Sequence, residues 1–168
     1  MSGVPIHRTA ISPDWIDYNG HLRDAWYALI ASEATDALMD RVGLDAAYRE
    51  ASGCTLYTLE MHLHFLHEVK RADSLSVAAR VLELDAKRVH LLLTLERESD
   101  RVLAGVAELV LLHVAQGPPV KSRAFPAAIA AALASFSPSG ALTDARGAPI
   151  PRSRRMQLSR PDPSAADG

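Results

Sequence analysis

The sequence predicts an α+β protein in which an antiparallel sheet of about five strands wraps around one long central helix. Three observations carry this expectation. Residues 24–42 have the composition and length of one helix, residues 55–115 alternate apolar and polar with period two, and turn-forming residues divide the alternating stretch.

Taken in order, Val4 to Ile11 reads as a short strand, followed by a loop that Ser12-Pro13 opens. The helix is expected from about Asp24 to Val42, with Gly43 where a left-handed C-terminal cap belongs. Ala25, Ala28, Ala31, Ala34 and Ala37 recur every third residue and suggest a small-residue ridge that lets the helix lie close to a sheet. Glu33, Asp36 and Asp40 mark its solvent side. Leu44 to Ala51 reads as a shorter helix ending near Gly53.

In the first alternating run, Tyr57, Leu59, Met61, Leu63 and Phe65 are expected on one face, with Thr58, Glu60, His62 and His64 on the other. Runs over Ser74–Leu84, Arg88–Arg97 and Val102–Ala115 follow, giving three successive hairpins in a meander. Pro126 to Phe136 reads as an Ala-rich helix. Residues 1–136 therefore form one domain, and residues 137–168 are a Pro- and Arg-rich tail expected to be disordered or draped over a neighbour. One helix covers only one face of the sheet, and Leu82, Leu84 and Leu92 make the other face apolar. A homodimer or homotetramer is the expectation.

Composition narrows the function classes. A net charge of −2 over 168 residues gives no reason to expect a nucleic-acid partner. No stretch has the length to cross a bilayer, and the first residues lack the pattern of a signal peptide. Cys54 is the single cysteine, read as a small half-buried apolar residue, and no intrachain disulfide is possible. A soluble, cytoplasmic protein is expected.

The chemistry-bearing segment is Asp17-Tyr18-Asn19-Gly20-His21, just before the long helix. Gly20 permits a sharp bend and close approach of a ligand to the backbone. The first helical turn offers unpaired amides and the positive end of the dipole, which suit a developing oxyanion. Asp17 is then placed to attack a carbonyl carbon or to activate a water. The same residue types also make an ordinary capped lead-in to a helix.

The segment WIDYNGHL, with Tyr27 a turn into the helix, resembles the hydroxybenzoyl-CoA thioesterase-like branch of the hot-dog superfamily. It is similar, more closely still, to the betainyl-CoA thioesterases of carnitine breakdown. DWIDYNGHL, ATDALMDRVGLDAAYREA, LYTLEMHLHFLHEV and LDAKRVHLLLTLE, spread over residues 4–115, carry that likeness. The resemblance implies a hot-dog fold and hydrolysis of a small acyl-CoA to acid and CoA, with no cofactor besides the CoA of the substrate. It also implies Asp17 as nucleophile or base, backbone amides at Gly20–His21 as the oxyanion site, and Asn19 and His21 as shapers of the loop. Many members carry an Asn pair after the His, where this chain has Leu22-Arg23-Asp24.

Further candidates surround this core. Glu60 is a second carboxylate, able to act across a subunit interface. Trp15, Tyr18, Tyr27 and Tyr57 offer aromatic faces to a quaternary ammonium acyl group. Lys87 and Arg88 at a strand turn are natural contacts for CoA phosphates. Lys70-Arg71 are charges of the same kind, and the tail arginines Arg152, Arg154, Arg155 and Arg160 read as a solvated segment. His62-x-His64-x-x-x-Glu68 has a cupin-like metal spacing but lacks the glycine before it and the second half-motif after it, so no metal site is expected. A hot-dog dehydratase using His21 or His62 with Glu60, and a non-catalytic acyl-CoA-binding or metal-binding module, are the alternatives to hydrolysis.

Overall fold

The computed structural model describes residues 3–137, 140–144 and 146–153. Strand β1 (Val4–Ala10) leads through a 3-10 turn (Pro13–Trp15) and the Asp17–His21 loop into α1 (Asp24–Val42) and α2 (Ala46–Ser52). Then come β2 (Cys54–Phe65), β3 (Ser74–Leu84), β4 (Arg88–Arg97), β5 (Leu103–Ala115), the two-residue β6 (Lys121–Ser122) and α3 (Ala127–Ala134). The sheet is antiparallel in the order β1-β3-β4-β5-β2, with β6 on β5.

Helix α1 lies against the sheet and is stopped by Gly43 at φ 88°, the left-handed cap expected there. Its buried stripe is Tyr27, Ile30, Ala31, Ala34, Thr35, Leu38, Met39 and Val42. This is the three-and-four spacing of an ordinary amphipathic helix, and it corrects the every-third-residue ridge. Steps of three residues fall about 60° short of a full turn each time, so a run of five drifts around the helix. Only Ala31 and Ala34 land on the buried side, while Ala25 is exposed. Across from them, Leu75, Val77, Ala79, Val81, Val89, Leu91, Leu93, Leu95, Ala107, Leu109 and Leu111 complete the core.

Two expectations about the sheet change. First, β2 does not form a hairpin with β3; it crosses the end of the sheet through residues 66–73 and pairs with β5 at the far edge. Eight residues are too many for a tight turn and enough for this crossing. Second, a bulge between Thr58 and Glu60 leaves Leu59 unpaired, and a one-residue insertion reverses which face every preceding side chain takes. Thr58 pairs with Leu111 and Met61 with Leu109, both of the core face, whereas Tyr57 pairs with Leu112 and Glu60 with Val110. Tyr57 thus shares its face with Glu60, not with Met61.

The apolar outer face is not bare either. Leu92, Leu103 and Val106 are covered by Ile150, with Leu82 and Leu142 beside them, while Leu84 belongs to the α1 side. Leu142, Ile150, Arg152 and Ser153, after α3, therefore lie on this face of the sheet, which removes it as the reason to expect an oligomer. Glu108, fully buried on that face, anchors it by accepting hydrogen bonds from the Ser153 amide (2.6 Å), Arg152 (3.3 Å) and His90 Nε2 (2.9 Å). Arg152 is thus engaged rather than merely solvated; Arg154, Arg155 and Arg160 lie outside the described residues.

Ile150→Ala is expected to destabilise the protein by about 2–4 kcal/mol. A melting midpoint lower by roughly 5–15 °C in calorimetry would show it, and an unchanged midpoint would mean a loose tail. Burial pushes the Glu108 carboxyl up, but hydrogen bonds from His90 and Ser153 and the Arg152 charge outweigh it and hold it below the ordinary range. A carboxyl depressed in the folded state stabilises fully above its unfolded pKa of about 4.3 and loses that contribution as pH falls through the folded value. The stability gap between wild type and Glu108→Gln in urea titrations should therefore close below about pH 4.

Candidate active site

The loop before α1 is a closed turn built on Asp17. Its amide donates to His21 O (2.8 Å), and its carbonyl accepts from Gly20 N (3.1 Å). Its Oδ1 accepts from Asn19 N (2.8 Å) and His21 N (3.0 Å). Gly20 stands at φ 84°, a conformation that a side chain would strain. The His21 bond foremost, with that of Asn19, holds the Asp17 carboxyl below its ordinary range against the opposing effect of burial. It is an ionised, weakly basic carboxylate.

The β2–β3 crossover fastens this loop from below. Leu22 N donates to Val69 O (2.8 Å), His21 bridges to Lys70, and Ile16 bridges to Leu22. Between loop, helix and crossover opens a cleft of about 570 Å³ lined by His21, Leu22, Asp24, Tyr27, Phe65, Leu66, His67, Glu68, Val69 and Arg97. Its floor is aromatic: Tyr27 meets Phe65 edge-on at 5.1 Å between ring centres. Burial pushes the Tyr27 hydroxyl up to about 12, so the phenol stays neutral. The ring needs Gly105 beneath it, since a Cβ there would stand 3.2 Å from two ring carbons. Arg97 is held by Asp100 (Nη2–Oδ2, 2.7 Å), and His21 Nε2 lies 3.1 Å from Glu68 Oε2.

The candidates from sequence distribute unevenly around this cleft. Asp17, Asn19, Gly20 and His21 form one turn, with His21 facing the cleft and Asp17 on the turn beside it. The Gly20 and His21 amides, expected to serve an oxyanion, are spent on Asp17, and those of Leu22 and Arg23 on Val69 O and Trp15 O. In the first turn of α1, Ala25 N bonds Asp24 Oδ1 and Trp26 N bonds Arg23 O. From Leu22 to Trp26 this leaves the amide of Asp24, a residue of the cleft wall, as the donor without a partner.

Trp15 stacks on Trp26 at 4.8 Å, so each ring has one face already used, and Tyr18 is 95% exposed. Tyr57, Lys87 and Arg88 are at the other end of the sheet. Arg88 and Arg97 are the two ends of the ten-residue β4, roughly 30 Å apart at about 3.3 Å per residue. One chain does not bring them to the loop. Lys87 Nζ bonds Ser122 Oγ (3.2 Å) and Arg88 pairs with Asp85 (2.6 Å). Glu60 sits on the outer face, five residues along β2 from Phe65. His62 and His64 pair there, on the face opposite the cleft that Glu68 lines, so the three do not converge as metal ligands.

Sequence reading missed His67, Glu68, Arg97 and Asp24. The first two were read only as strand or metal-spacing residues; the one usable signal was the eight-residue gap before β3, too long for the hairpin assumed there.

Residues 11–133 match the Thioesterase-like superfamily. Over 111 residues, 66% of this chain and 70% of the relative, the sequence is 47% identical to the betainyl-CoA thioesterase of Pseudomonas aeruginosa. A putative thioesterase from Pseudomonas putida has the same fold, with TM-score 0.71, 37% identity and coverage of 96% of this chain and 99% of that one. A Staphylococcus aureus protein solved with CoA superposes with TM-score 0.73 at 28% identity, covering 96% and 98%. The chain belongs to the thioesterase-like superfamily and adopts its hot-dog fold.

Proposed function

We propose that the protein hydrolyses a small acyl-CoA thioester in the cleft at the start of α1, with betainyl-CoA as the first substrate to try. One observation carries the chemistry: an ionised carboxylate on a rigid turn stands beside a cleft whose wall offers an unpaired helix-start amide. The acyl choice follows the relative named for betainyl-CoA, at 47% identity.

In this reading Asp17 is the nucleophile. Its pKa, held low, keeps it ionised and makes it a poor proton acceptor, so attack on the thioester carbon suits it better than activating water. The oxyanion is received by the Asp24 amide, backed by the α1 dipole, in place of the amides already spent in the loop. Tyr27 and Phe65 bound the acyl group with neutral aromatic surface, which favours a quaternary ammonium.

A second copy of the chain is the partner. Strand β2 is an edge of twelve residues whose Leu59 and Phe65 are 53% and 54% exposed, with Tyr57 and Met61 also uncovered. Pairing β2 antiparallel with its own copy brings the Tyr57 end of one strand to the Phe65 end of the other. Arg88 and Tyr57 both pair with Leu112, so the Lys87–Arg88 turn travels with Tyr57 toward the other copy's cleft. That geometry recovers a phosphate-binding role for the pair, and it sets Glu60 near the middle of the interface.

Asp17→Asn keeps both amide bonds of the turn, because an amide oxygen accepts as a carboxylate does. CoA release followed with a thiol reagent is expected to fall at least about 100-fold with the melting midpoint retained. If activity persists, Glu60→Gln becomes the decisive variant. Leu59→Arg should convert a species of twice 18.1 kDa into the single chain in light scattering.

A further inference from the structure

We propose that His67 is a catalytic base of this cleft, accepting the proton of the water that hydrolyses an acyl group carried on Asp17. The inference rests on the thioesterase reading above and adds the residue that its second step requires.

His67 is placed by the crossover rather than by a regular element. Its amide and that of Leu66 both donate to Ala104 O, at 3.1 and 2.9 Å. Its ring Nδ1 lies 2.9 Å from Leu103 O. A carbonyl oxygen only accepts, so Nδ1 carries the hydrogen. The neutral ring is left with its lone pair on Nε2, directed away from that carbonyl. The ring is exposed and lines the cleft, and Nε2 has no intramolecular partner among the described residues.

The charged and titratable neighbours are otherwise occupied. Glu68 of the same crossover pairs with His21 (3.1 Å) and approaches Lys70 (3.9 Å). From β4, Arg97 is held by Asp100, and from the first turn of α1, Asp24 accepts from Ala25 N (2.8 Å). Tyr27 of α1 stays neutral. His67 Nε2 is thus presented as an acceptor with its tautomer already selected, which is the state a base must hold before water arrives.

An Asp17 oxygen bonds to the thioester carbon, the C–S bond breaks, and CoA leaves as the thiolate with the electron pair. A water oxygen then bonds to the same acyl carbon as one of its protons passes to His67 Nε2. The bond from that carbon to Asp17 breaks, which restores the carboxylate. The product acid keeps the second water proton until it ionises, and His67 returns its proton to solvent or to the thiolate.

The test uses the full chain and whichever of betainyl-, acetyl- or benzoyl-CoA the wild type turns over fastest. In rapid-quench experiments His67→Gln is expected to release one CoA per site in a burst and then turn over at least about 100-fold more slowly than wild type. The acyl-enzyme should be visible by intact mass, KM should fall together with kcat so that kcat/KM is retained, and the acid limb of the kcat–pH profile should disappear. Added imidazole should restore part of the rate to His67→Ala, which a purely structural role does not allow. The proposal is overturned if His67→Gln keeps the wild-type kcat and acid limb, or slows with neither burst nor rescue. Acyl-enzyme accumulating in His21→Gln instead would equally overturn it. A wild-type chain that releases no CoA from any of the three overturns the thioesterase reading, before any variant is made.

Discussion

Burial of the Tyr27-Ile30-Ala34-Leu38 stripe of α1 against the sheet is the constraint on which the rest of the molecule depends. The larger apolar face of the sheet is filled by α1, among the described residues the only helix long enough to do so. Close approach is possible because Ala31 and Ala34 are fully buried at the contact and because Gly105 leaves room for the Tyr27 ring. Once the stripe is seated, the first turn of α1 has one place to go, at the end of the sheet where β2 leaves and β3 begins. The helix start and the crossover are brought together by packing, and the cleft is the space left between them.

What happens in that space is governed by which backbone groups are already satisfied. The Asp17 turn consumes the amides of Asn19, Gly20 and His21, and the crossover consumes that of Leu22. Those bonds make the turn rigid and keep its carboxylate ionised, a useful state for a nucleophile. In the proposed mechanism they leave the oxyanion role to the amide of Asp24, at the helix start proper. Rigidity and donor availability therefore compete for the same amides, and the fold divides them between Asp17 and the cleft wall.

The outer face shows how local pattern and tertiary use separate. Leu82 and Leu92 stand on it as the alternation requires, yet they do not make an interface. Leu142 and Ile150 cover them, and the buried Glu108 holds the covering segment through Ser153 and Arg152. No periodicity in that segment announces it, because an irregular strap buries one or two side chains rather than a stripe. The exposed apolar side chains of β2, Leu59 and Phe65 among them, are likewise recognisable as an edge only once the strand order is known.

By itself, the sequence determined the helix with its Gly43 stop, every long strand nearly to its ends, and the Asp17-to-His21 turn with its glycine. These are local properties, set by period, turn residues and caps within a few positions of one another. Tertiary structure decided the strand order, the face of Tyr57, the place of Leu142 and Ile150 and the assembly of the cleft. Each depends on a contact between distant residues: β2 with β5, Ile150 with Leu92, and His67 with Leu103 O. A single unpaired residue at Leu59 was enough to turn half of β2 over, and no side-chain pattern records where a backbone ladder skips.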